Sequence, residues 1–233
     1  MKIRGFRLLI LLSTLAGFLS TGRAQRGTFV TVQDLETWSS VSLSYKPVKA
    51  FSVGLRQELR LKDNSTTMDV YFTELEMKYR FKSGFSLAAA GRFLRENDDA
   101  GKVRGIENHF RWNADAMYKH SLGRFKLKYR LRYQTRNELQ VVGAMPTNKL
   151  RLQAGGTYNI KNWKLDPQLS VEIFRETSDP LWEKIRVTLG TSYEFKSFGD
   201  LGVFYRLENE LVGAYPKRTY ILGLQYMYTL KSY

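Results

Sequence analysis

The segment Phe125-Lys126-Leu127-Lys128-Tyr129-Arg130-Leu131-Arg132-Tyr133 decides the fold. Apolar and aromatic residues alternate in it with cations, one for one. An extended strand sends successive side chains to opposite faces, so it sorts this segment into an apolar face and a cationic face. A helix, turning about 100° per residue, would scatter the charges around its circumference and leave no face to bury. The period therefore predicts a β-strand.

The same period recurs along the chain. Phe51, Val53, Leu55, Leu59 and Leu61 oppose Ser52, Gly54, Arg56, Glu58 and Arg60, while Tyr71, Leu75, Met77 and Tyr79 oppose Glu74, Glu76, Lys78 and Arg80. Comparable alternation predicts eleven strands near residues 34–45, 50–62, 69–82, 85–95, 107–119, 124–136, 147–160, 163–175, 183–196, 199–209 and 218–231. These segments run 11 to 14 residues. A soluble strand is usually about 5–6 residues long, whereas a tilted membrane strand needs about 9–11.

The punctuation supports the same reading. Short turns are expected at 46–49, 82–84, 121–123, 161–162 and 197–199, and longer polar loops at 63–68, 96–106, 137–147, 176–182 and 210–217. Short turns at one end and long loops at the other are a mark of transmembrane barrels. Tyr45, Phe51, Tyr79, Phe81, Phe85, Tyr118, Phe125, Tyr158, Trp163, Tyr193 and Phe195 flank the turns, as an interfacial aromatic girdle would. Trp38, Tyr71, Phe93, Trp112, Tyr133 and Tyr205 are placed to form a second ring near the loops.

The expected fold is thus an all-β, transmembrane, antiparallel up-and-down barrel with short periplasmic turns and longer extracellular loops. Bacterial single-chain barrels have even strand numbers. Residues 27–35 are the candidate for a twelfth strand, and ten strands is the alternative. The rival is a soluble barrel with its apolar face turned inward.

Residues 1–24 read as a cleaved signal peptide. Lys2, Arg4 and Arg7 precede an apolar run from Leu8 to Phe18, and Gly22 and Ala24 supply the small residues before a cut at Gln25. The apolar run is too short for a membrane-spanning helix, which needs about 20 residues. Cleavage would leave the barrel on residues 25–233 and lower the formal charge from +15 to +11. The chain has no cysteine, so an exported form carries neither disulfide staples nor a thiol nucleophile.

These segments bear a family resemblance. Asp34-x-x-x-Trp38, Gln57-Glu58-x-Arg60, Tyr71-Phe72-Thr73-Glu74-Leu75, Lys128-Tyr129-Arg130-Leu131-Arg132-Tyr133-Gln134 and the closing Tyr220-Ile221-Leu222-Gly223-Leu224-x-Tyr226 resemble an uncharacterised outer-membrane barrel family of Bacteroidetes-type bacteria, domain of unknown function 2490. The resemblance implies a membrane barrel and brings no activity, ligand or site with it.

Few residues suit catalysis. His109 and His120 are the only histidines; His109 falls on the polar face of its strand and His120 near a turn. Serine hydrolase chemistry needs a histidine beside its nucleophile, and two histidines without cysteine are a poor transition-metal set. No catalytic residue, cofactor or metal site is therefore expected. Glu74 and Glu76 lie about 6–7 Å apart on one strand face, a carboxylate spacing that glycosidases use. Neighbouring Arg56, Arg60, Lys78 and Arg80 make ion pairing the simpler role.

The polar faces collect the most informative cluster: Arg56, Glu58, Arg60, Glu74, Arg92, Lys128, Arg130, Arg132, Arg151, Glu172, Arg186 and Arg206. Arg175 and Asp166 also count toward it by parity. Lipid exposure would cost about 2–4 kcal/mol per cation at the bilayer midplane, so these residues are expected to line a lumen. An enclosed basic face also disfavours nucleic acid as a partner. The expected partners are outer-membrane lipid and lipopolysaccharide, with barrel-assembly machinery during insertion. The expected function is a non-enzymatic outer-membrane barrel, structural or a narrow anion-preferring pore. The alternative is an outer-membrane enzyme acting on lipid or lipopolysaccharide.

Overall fold

The computed structural model describes residues 31–99, 105–196 and 198–232. The expected signal peptide and the Gly27–Val30 part of the candidate twelfth strand lie outside the described residues.

Among the described residues eleven strands alternate up and down around a closed barrel. They are β1 (Val32–Val48), β2 (Phe51–Lys62), β3 (Thr67–Arg80), β4 (Phe85–Asp98), β5 (Gly105–Leu122), β6 (Phe125–Glu138), β7 (Thr147–Tyr158), β8 (Gln168–Glu176), β9 (Trp182–Phe195), β10 (Gly199–Glu210) and β11 (Lys217–Lys231). Each pairs antiparallel with its chain neighbours, and Phe125–Tyr133 opens β6, its residues alternating between the two faces.

The strand number corrects the expectation of twelve or ten. Val32–Leu35 open β1 instead of forming a strand of their own. β1 and β11 then close the ring in parallel, from Val32 opposite Lys217 to Lys46 opposite Lys231, leaving no gap for a further strand. An odd up-and-down count has this consequence: its first and last strands point the same way. β1 consequently starts at one end of the barrel and β11 finishes at the other.

Strands β1, β3, β5, β7 and β9 finish at one end, the turn end, where 49–50, 81–84, 123–124 and 159–167 connect them onward; β2, β4, β6, β8 and β10 finish at the other, the loop end, with connections at 63–66, 139–146, 177–181 and 211–216. The contrast in length is weaker than expected, for two local reasons. The 63–66 connection is a tight turn in which Asp63, Asn64 and Ser65 all adopt left-handed φ of 53°, 56° and 65°. The Asp34 carboxylate accepts the amides of Asp63 at 3.3 Å and Asn64 at 3.0 Å, which holds a conformation costly for residues other than glycine. At 159–167, Pro167 lacks the N–H needed to extend a ladder. Asp166 accepts the Ile160 amide at 3.0 Å and so caps a broad turn. The strand expected from residue 163 therefore begins at Gln168.

Inward and outward positions separate cleanly by parity. Val41, Leu43, Leu55, Leu75, Met77, Leu87, Leu131, Leu152, Leu189, Leu222 and Leu224 are exposed on the outer face, whereas Glu58, Glu74, Arg92, Asp115, Arg132 and Glu172 are buried inside. Among the described strand residues, Arg95, Arg175 and Arg218, at the loop end, are the outward arginines. Between the rims, the outward positions of the described residues carry no Asp, Glu, Lys or Arg. Aromatic pairs ring the turn end on this face, with centroids of Tyr79 and Phe81 at 4.9 Å, Phe125 and Tyr158 at 4.9 Å, and Tyr193 and Phe195 at 4.6 Å.

Candidate functional site: the charged interior

All twelve residues of the charge cluster line one interior cavity of about 410 Å³. Parity puts them there: each sits on the inward face of its strand, and the antiparallel register stacks them in rows. Glu172 on β8 receives Arg130 at 2.7 Å, Arg151 at 2.8 Å and Arg186 at 3.3 Å. Glu58 on β2 receives Arg56 at 2.5 Å and Arg60 at 2.7 Å. Glu74 on β3 receives Arg92 at 2.6 Å, with Arg111 at 3.5 Å. Arg132 is held by Asp115, and Arg186 reaches Glu208 at 2.5 Å. These pairs form a belt of buried charge around the interior.

Aromatic side chains complete the belt, among them one that was expected in the outer ring. Trp38 faces inward, 6% exposed, so it does not join the outer ring near the loops. It shares parity with Asp34, Glu36 and Ser40, and its indole N–H donates to Glu36 at 2.9 Å. The Arg60 guanidinium stacks 3.6 Å above its ring centroid, and that of Arg206 lies 4.7 Å away. Phe72 carries Arg92 at 3.5 Å, and Phe174 carries Arg151 and Arg186 at 4.5 and 4.6 Å. Each such contact contributes about 0.5–2 kcal/mol, more when desolvated. Phe72 and Ile221, 1% and 0% exposed, pack the same interior. Phe72 stands on the parity of Glu74, so period-2 reading could have found it.

Two other residues are corrected. Arg175 points outward, because Phe174 takes the inward position ahead of a bulge; its Nε donates to the Asp179 carbonyl at 3.0 Å. Asp166 caps the 159–167 turn and does not line the lumen.

The wall formed by β7 to β11 differs from the rest. Its inward positions include Gly155, Ser170, Thr188, Gly190, Gly202 and Gly223. Gly223 is required by packing, since a Cβ there would fall 2.0–2.4 Å from the Phe204 ring, which lies flat across it. Small residues leave a second cavity of about 200 Å³ towards the turn end. It shares Lys128, Gln153, Ser170, Thr188, Phe204, Arg206 and Gln225 with the first.

Neither histidine sits in a nucleophile arrangement. His109 Nε2 lies 3.0 Å from a Glu107 carboxylate oxygen. His120 is on the outer face, stacked between Tyr118 and Tyr129 at 5.5 and 5.8 Å. Among the described residues no group of His, Asp or Glu is arranged to hold a metal ion.

Fold and interior together define a closed eleven-stranded β-barrel with an apolar exterior and an ion-paired, partly hollow interior. The family described as protein of unknown function (DUF2490) matches residues 35–213, more than half of the chain, and the chain belongs to that family. No curated protein and no solved structure gives a significant match.

Proposed function

We propose that the protein is an integral β-barrel of a bacterial outer membrane, exported by a signal peptide cleaved before Gln25, and that it is not an enzyme. The observation that carries this is the outer face. Its positions between the rims are mostly apolar or aromatic, with a few neutral polar residues such as Gln57 and Thr73, which bond each other, and they are free of Asp, Glu, Lys and Arg among the described residues. Water would gain nothing from such a surface, whereas hydrocarbon demands it. The aromatic ring at the turn end fits an interfacial belt. That end would face the periplasm, the loop end the exterior, and lipid and lipopolysaccharide would be the surrounding partners.

The role is structural, with a lumen closed to bulk flow by the buried ion-pair belt. A narrow anion-preferring passage is the second reading. The cavity favours it, lined by ten Lys and Arg side chains against four glutamates. The environments of His109 and His120 support a non-enzymatic role, since neither contacts a serine hydroxyl among the described residues.

The test is extraction. Membranes from expressing cells are washed with alkaline carbonate, and the retained protein is run on gels boiled and unboiled. Retention, a heat-dependent mobility shift and a mature mass beginning at Gln25 are expected. Release into the wash as a folded soluble protein would contradict the reading.

A further inference from the structure

We infer that the small-residue wall of the interior is a binding site for a small oxyanion of the phosphate or sulfate class, held between Lys128 and Arg206. The inference rests on the reading of the interior as a closed lumen and adds a ligand to it.

One register row carries the site. Lys128 on β6 pairs with Gly155 on β7, Gly155 with Ser170 on β8, Ser170 with Thr188 on β9, and Thr188 with Arg206 on β10. Two cations therefore bracket a floor of Gly, Ser and Thr. Strands lie about 4.8 Å apart, so the two backbones are on the order of 19 Å apart along the curved wall. Both side chains line the same space, over a floor whose small residues leave room.

The two cations differ from the rest of the belt. Among the described residues Lys128 makes no ion pair and no hydrogen bond, and Arg206 makes no ion pair. Arg206 is nonetheless fixed: its Nε donates to Thr188 Oγ1 at 3.0 Å, and its guanidinium lies 4.4 Å from the Phe204 ring centroid and 4.7 Å from that of Trp38. Its terminal nitrogens make no hydrogen bond among the described residues, and the side chain lines the cavity. A guanidinium held in this way, with a free edge of donors, suits an oxyanion better than a spherical halide. Gln153, Ser170 and Gln225 add neutral polar groups around the same space.

Charge balance points the same way. Glu58, Glu74 and Glu172 are already engaged by arginines. Glu76 also lines the cavity without an ion pair, but from β3 on the opposite wall. Glu208, two residues from Arg206 on the same face of β10, is taken up by Lys184 and Arg186. The carboxylates left over do not match the enclosed cations, and uncompensated charge away from bulk water is costly. A divalent oxyanion between Lys128 and Arg206 removes that cost.

The test is calorimetric titration of the purified barrel in non-ionic detergent with sodium phosphate and sodium sulfate, against sodium chloride at matched ionic strength. Saturable binding of phosphate or sulfate beyond chloride is expected. Lys128→Met and Arg206→Gln should each weaken it by about tenfold or more, the loss expected for one charge-assisted hydrogen bond. Lys149→Met, whose ammonium pairs with Glu183 at 2.7 Å outside the cavity, should bind normally. Because Lys128 has no partner, Lys128→Met should fold, as read by unboiled gel mobility, and should melt at a higher temperature without phosphate. Absence of saturable binding, or unchanged binding by folded Lys128→Met, overturns the site. A barrel that resists carbonate extraction yet fails to bind phosphate would refute the site alone; release by carbonate would refute the membrane reading.

Discussion

Arg132 grips Asp115 with both ends of its guanidinium edge, Nε and Nη2 each 2.6 Å from a different carboxylate oxygen, from directly paired positions on β6 and β5. Both residues are buried, so each charge depends on the other. Breaking such a pair costs about 3–5 kcal/mol, because the survivor is stranded. Arg132→Met should lower unfolding stability by that order, and Arg132→Met with Asp115→Leu should recover most of it. Urea unfolding in lipid vesicles checks both. An additive double variant would mean that the pair is not coupled.

Trp38 is the platform for two arginines from different strands and is itself tied to Glu36. Trp38→Ala removes the ring and its hydrogen bond and is expected to cost about 3–5 kcal/mol. Trp38→Phe keeps a stacking surface and should cost clearly less. The measurement is the thermal midpoint of the unboiled gel form. Equal losses for the two variants would assign the ring to bulk packing and not to cation stacking.

The contact between Gly223 and Phe204 gives a directional test. Gly223→Ala places a methyl where the ring lies, and overpacking of this kind typically costs about 1–3 kcal/mol. Adding Phe204→Leu should relieve part of the strain, so the double variant should be more stable than Gly223→Ala alone. A double variant that simply sums the two losses would contradict the packing account.

Much of this was legible in the sequence and some of it was not, for definable reasons. The alternation of Phe125 to Tyr133 determines which side chains go inward, and all twelve cluster residues follow it. Trp38 was misread because aromatic character was weighed above its parity with Asp34, Glu36 and Ser40. The strand number was misread because evenness is a habit of bacterial barrels and not a consequence of period two; continuous pairing of β1 with β11 settles it at eleven. The pairing of Arg130 with Glu172 depends on register across β7, which no local pattern encodes. The emptiness beside Lys128 and Arg206 depends on the juxtaposition of Gly155, Ser170 and Thr188 from three separate strands.

Planar bilayers test the state of the lumen. The ion-pair belt predicts currents far below those of a wide aqueous porin. Any residual current should prefer anions, because cationic groups outnumber carboxylates along the cavity. Lys128→Gln with Arg130→Gln should lower that preference, read as a shift of reversal potential in a salt gradient. Cation selectivity in the unmodified protein would contradict the charge assignment.

The central claim is that the apolar outer face meets hydrocarbon while the charged face is enclosed. The absence of native cysteine makes it directly measurable. Single cysteines at Leu131, Leu152 and Leu222 on the outer face, and at Gln153 and Thr188 on the inner face, are spin-labelled in reconstituted barrels and exposed to oxygen and to a water-soluble nickel chelate. The account predicts oxygen-dominated relaxation at Leu131, Leu152 and Leu222, and its loss one residue away at Gln153. Ready access of the nickel chelate to Leu131, Leu152 and Leu222 would contradict it.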